Sequence, residues 1–187
     1  MLYVPICTIA QVKGKIVEME AEGTIVVSII PEQTWTPPNS FTTTASFTLK
    51  VPTGTFKIKK EAVISHNGFW ELATRIETPI EAPEFDYLYF NLLSPITTLT
   101  YTEEEEILLF SFENPGDCPG DIQIMDTETD PFNVPNSLSV NIGNNYTIVG
   151  NGLGNGYKGT IKTNTENCHI EYDWSYNDAL CLSLIHI

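Results

Sequence analysis

Positive charge is the scarcest thing in this chain. Nine lysines and arginines stand against 24 aspartates and glutamates in 187 residues, a formal net charge of −15. Nucleic acid and anionic membrane surfaces both demand clustered cations, so neither suits this chain as a partner. Long apolar runs are missing as well. No stretch approaches the ~20 residues that a helical membrane span needs. Cysteine is sparse: Cys7, Cys118, Cys168 and Cys181 form no C-x-x-C and no Cys/His spacing of a zinc site. There is no G-x-S-x-G elbow to present a nucleophilic serine. A repeat of fixed period is also lacking, which argues against a solenoid or propeller.

What the chain has instead is a rhythm of short strands. Phe47, Leu49 and Val51 alternate with Thr48 and Lys50, the two-residue period of a half-buried strand. Pro52-Thr53-Gly54 then breaks the pattern before Phe56 and Ile58 resume it. Strands are predicted at 16–19, 24–30, 46–51, 55–59, 63–65, 70–76, 87–93, 107–112, 122–125, 137–141, 146–149, 159–163 and 169–172. His66-Asn67-Gly68 reads as a hairpin turn, because Asn-Gly tolerates positive φ. The run 87–93 is dense enough in aromatic and aliphatic residues for a central strand buried on both faces. Thr102-x-x-Glu105 imitates a helix capping box, but the β-branched and aromatic run after it favours a strand behind a charged turn. With 42% hydrophobic residues the chain can fill one core, and the pattern is that of an all-β sandwich or barrel.

Several motifs invite a chemical reading. Gly154-x-Gly156-x-x-Gly159 matches the dinucleotide fingerprint, yet a strand rather than a helix is predicted to follow it, so no pyrophosphate site is expected. Asp126, Glu128 and Asp130, with Asp117 and Asp121 upstream, form the best ionic candidate, since calcium takes six to eight hard oxygens. The spacing lacks the central glycine and terminal glutamate of an EF-hand, so an exposed acidic turn is the competing reading. Trp35, Tyr87 and Tyr89 form a possible sugar-stacking platform, with Trp35 in its proline-rich loop expected to be exposed. No cofactor is expected apart from possible calcium.

Both ends carry their own expectations. Residues 1–10 read as a signal-peptide remnant: an apolar run closing on Thr8-Ile9-Ala10, small residues at the −3 and −1 positions of a cleavage site. Residues 11–176 are expected to form a single β-sandwich domain, and 177–181 the start of a continuation. Residues 182–187, Leu-Ser-Leu-Ile-His-Ile, resemble the translation of a transposase adapter used in library preparation. If Cys7 leaves with the signal, Cys118 and Cys168 are the natural disulfide pair. That loop would constrain the unfolded chain by about 4 kcal/mol. Two unrelated thiols are the alternative.

Four passages also carry a family resemblance. They are Ala45-Ser46-Phe47-Thr48-Leu49-Lys50-Val51-Pro52-Thr53-Gly54, Phe85-Asp86-Tyr87-Leu88-Tyr89-Phe90, Glu106-Ile107-Leu108-Leu109-Phe110-Ser111-Phe112, and the acidic turn 126–130 running into Pro131-Phe132. Together they resemble the N-terminal cohesin-like sandwich module of large surface proteins exported by the type IX system. The resemblance implies an antiparallel β-sandwich, of cohesin-like, immunoglobulin-like or jelly-roll form. It further implies a non-catalytic, secreted or cell-surface module in adhesion, surface display or scaffolding, with a protein or glycan as partner. A carbohydrate-binding module attached to a polysaccharide-acting enzyme is the alternative.

Overall fold

A computed structural model describes residues 11–19, 24–113, 122–149 and 154–161. All four cysteines and the two ends lie outside them, as does the predicted strand at 169–172. Among the described residues are ten strands: β1 (Val12–Met19), β2 (Thr24–Pro31), β3 (Phe41–Pro52), β4 (Ile64–Ser65), β5 (Phe69–Ile76), β6 (Phe85–Ser94), β7 (Ile107–Glu113), β8 (Gln123–Ile124), β9 (Asn145–Val149) and β10 (Tyr157–Ile161). A single 3-10 turn, Lys60–Ala62, is the one helical piece among them. No described helix is long and apolar enough to cross a membrane.

The strands make two sheets. One runs β10-β1-β2-β7-β4 and is antiparallel except where β10 joins β1 in parallel. The other runs β5-β6-β3-β8, antiparallel throughout, with β9 also paired to β3. Their apolar faces meet in one core. Phe90 of the second sheet stacks on Phe110 and Phe112 of the first, at 4.6 and 5.6 Å between centroids. Period-two alternation builds this directly: Ile25, Val27 and Ile29 from β2 meet Phe47, Leu49 and Val51 from β3. β1 passes so close to the opposite sheet that a Cβ on Gly14 would stand 2.7 Å from Ile124 Cδ1. The all-β sandwich is therefore the fold, largely antiparallel, rather than the barrel that the strand pattern also allows.

Three local expectations are corrected. Residues 55–59 are not a strand, although Phe56 and Ile58 are buried as the alternation requires. The segment crosses from β3 in one sheet to β4 in the other, and drops its apolar side chains into the core without joining a ladder. Alternation reports burial, and pairing is a separate condition. Asn67-Gly68 is likewise not a hairpin turn, because β4 pairs with β7 and β5 with β6 in the other sheet. The Asn67 N–H donates to Leu109 O, and its side-chain amide to Leu108 O, so the dipeptide is a corner between sheets. Gly68 has φ +84°, and a Cβ there would lie 2.5 Å from Leu92 Cδ1. Finally, 137–141 is turn and coil. Asn136 replaces a ladder, donating to Phe132 O and Val140 O and accepting from Val140 N.

The central-strand reading of 87–93 holds for the first half of β6. Tyr87 and Leu88 are buried on opposite faces, whereas Leu93 and Ser94 are exposed.

Candidate functional site

The acidic loop is laid across the outer face of the second sheet. Thr48 on β3 anchors it: its N–H donates to the Asn144 side-chain oxygen at 2.8 Å, and its hydroxyl donates to Ile142 O. Ser46 donates to Gly143 O, and the Asn144 amide reaches back to Met125 O. Beneath the loop lies a second, smaller apolar cluster of Ile76, Ala82, Tyr87, Met125, Phe132 and Ile142.

Within this loop Asp126 and Asp130 already have partners. Asp126 accepts from the N–H groups of Glu128 and Thr129 at 2.8 and 3.3 Å, and from the Thr129 hydroxyl at 2.7 Å. It thereby shapes its own turn. Asp130 is buried. One of its oxygens accepts from Lys50 Nζ at 2.7 Å; the other accepts from the Tyr87 hydroxyl at 2.7 Å and the Phe132 N–H at 2.9 Å. The Lys50 ammonium, 4.2 Å above the Phe85 ring, holds the place a bound cation would take against Asp130. Glu128 is exposed. Asp117 and Asp121 lie outside the described residues. Among those described, no group of three or more His, Cys, Asp or Glu side chains could hold a metal. The Asp126 and Asp130 oxygens are thus engaged in bonds within the chain that brace the loop.

The aromatic platform does not form from the residues that suggested it. Trp35 is only 7% exposed: it pairs by backbone with Tyr101 at 2.8 Å in both directions, and packs edge-on against that ring at 6.0 Å. Trp35 turns inward from its proline-rich loop, whose residues 36–39 stay exposed. Tyr87 is fully buried against Phe132, at 5.0 Å between centroids. Burial raises its hydroxyl pKa above the ordinary tyrosine value, and the hydrogen bond to Asp130 adds to this, as do the charges of Glu84 and Glu81. Tyr89 is half-buried. Stacking on a sugar ring needs an open face, which two of the three lack.

A different constellation lies beside the first sheet. An open cleft of about 450 Å³ is lined by His66, Asn67, Leu99, Glu105, Glu106 and Leu108 among others. At its edge His66 Nε2 lies 2.9 Å from Ser111 Oγ. A serine hydroxyl beside an imidazole is the start of a nucleophilic couple. Here, however, Ser111 is only 3% exposed, at mid-strand. Among the described residues no hydrogen bond orients His66 from a carboxylate. Glu106 is held by Lys15 and Ser28 at 2.7 and 2.6 Å. Burial pushes its carboxyl up, yet those bonds and the Lys15 charge outweigh it, so its pKa is lowered. No local sequence signal joins His66 to Ser111, which are 45 residues apart.

The glycine motif ends as the sequence implies. β10 begins at Tyr157, so strand backbone and not a helix N-terminus follows Gly156.

No protein-family model, curated protein or solved structure matches this chain.

Proposed function

We propose that the chain is a non-catalytic, extracellular sandwich module of a larger secreted or cell-surface protein, acting in adhesion, surface display or scaffolding. The observation that carries this reading is the Lys50–Asp130–Tyr87 network. Asp130 and Tyr87, an acid and an aromatic that most resemble chemistry, are engaged in fastening a long loop to a sheet. The Ser111 hydroxyl is buried, which also favours a frame over an active centre. The cohesin-like resemblance and the signal-like residues 1–10 support export, and type IX transport is the route that the resemblance suggests. A disulfide between Cys118 and Cys168 belongs to the same reading, since bridges persist outside the reducing cytosol.

The test is antibody labelling of intact source cells with serum raised against the purified chain. Labelling without permeabilisation, removed by external protease, is the expected result. Signal that appears only after permeabilisation would overturn the proposal.

A further inference from the structure

Loops 77–84 and 131–140 stand side by side above the smaller core, and both present large aliphatic side chains to water. Ile80 is 83% exposed, Val134 55% and Leu138 53%. Scattered exposed aliphatics are ordinary. Ile64, Phe69, Leu93, Leu108 and Val149 are exposed on strands, whereas Ile80, Val134 and Leu138 stand on two loops that are tied to each other. The Ser137 N–H and hydroxyl both donate to the Glu81 carboxylate, joining the loops at the residues next to Ile80 and Leu138. Ala82 and Phe132 root the same loops in the buried cluster, and the Asn136 side chain braces the second one. The crest therefore meets a partner with little ordering left to do.

Charge defines what could sit there. The nearby cations are turned inward: Lys50 is paired with Asp130 at 2.7 Å, and Arg75 with Asp86 at 2.9 Å and Glu77 at 3.1 Å. Glu81 and Glu84 lie on the first of the two loops, and among the described residues no ion pair reaches either. The crest is thus apolar with an acidic rim. A second copy would bring the same rim and be repelled, as would an anionic lipid surface.

We infer that Ile80, Val134 and Leu138 form a docking surface for a segment of a partner protein whose apolar side chains are flanked by lysine or arginine. This rests on reading the chain as a non-catalytic interaction module, and names the partner chemistry that the module would select.

The test titrates three synthetic peptides of equal length into the full 187-residue chain and follows backbone amide NMR shifts. One alternates leucine and lysine, one is oligolysine, and one alternates leucine and glutamate. The leucine–lysine peptide is expected to bind, with shifts confined to 77–84 and 131–140. Ile80→Ser and Leu138→Ser should each weaken it about tenfold. Both side chains are exposed, so the unfolding curve should stay unchanged. Equal binding of oligolysine would reduce the site to bulk charge, and equal binding of leucine–glutamate would remove the rim; either overturns the inference. Shifts elsewhere on the molecule would also overturn it, as would a dimer that Ile80→Ser abolishes. Loss of docking with intact-cell labelling preserved removes the crest alone; docking without labelling removes only the surface-protein reading.

Discussion

Lys50 Nζ and Asp130 Oδ2 lie 2.7 Å apart, and this contact fastens the acidic loop to β3 near its C-terminal end. Side-chain exposure is 13% for the lysine and 3% for the aspartate, so water screens the pair little. Removing one partner would leave the other charged and largely buried.

Asp130→Asn should therefore destabilise the chain by about 3 kcal/mol, the cost typical of breaking a buried pair on one side. The loss should be the same in millimolar calcium and in chelator. A calcium-dependent rise in the wild-type Tm that Asp130→Asn abolishes would restore the loop as a metal site.

The corner between the sheets gives a second outcome. Gly68→Ala places a Cβ against Leu92 and Ile96 at positive φ, and should cost about 2 kcal/mol through overpacking and strain together. Gly54→Ala has a similar φ of +76° but open space around it, so it should cost clearly less. Equal losses in denaturant unfolding would show that packing at the corner is unimportant.

Buried Tyr101 and Tyr146, with half-buried Tyr157, set the alkaline limit. Burial pushes the Tyr157 hydroxyl up to about 12, only partly offset by its hydrogen bond with Thr160. Burial likewise raises Tyr146 and Tyr101, whose hydroxyls share a 2.8 Å hydrogen bond. Unfolded tyrosine gives up its proton at about pH 10, so stability is full below that pH and is lost as pH rises toward the folded values. Phenolate absorbance should rise in two phases, the later one coinciding with loss of β-sheet circular dichroism. A single phase with the sheet intact would contradict the burial of these rings.

At the acid end the sign reverses. The lowered Glu106 carboxyl adds stability above the ordinary glutamate range, and that contribution disappears as pH falls through its folded value. Glu106→Gln should flatten the acid limb of a Tm-against-pH curve; an unchanged limb would show that Lys15 and Ser28 do not stabilise the ionised form.

Thiol titration of the denatured, unreduced chain tests the proposed bridge. Of the four cysteines, two should react if Cys118 and Cys168 are joined. Four reactive thiols would remove the disulfide.

The sheets were legible because their signal is local. The alternation in β3 and the apolar run of β2 each sit within a few residues. What escaped was set by distant partners. Phe56 and Ile58 alternate like a strand, but whether a ladder forms depends on where β4 lands. Asn67-Gly68 has hairpin chemistry, but its flanking strands belong to different sheets. Asp130 looked like a cation ligand because nothing in its neighbourhood reveals Lys50, 80 residues earlier. Trp35 looked exposed because its partner Tyr101 lies far along the chain. Only the topology makes these pairs neighbours.

The central structural claim is that the acidic loop belongs to the frame, and a double-mutant cycle tests it most directly. Lys50→Met, Asp130→Asn and the double variant would be unfolded in denaturant alongside the wild type. A coupling of at least about 1.5 kcal/mol is expected, with the double variant more stable than the sum of the single losses allows. A coupling near zero would contradict the claim: the two side chains would then be neighbours without being partners.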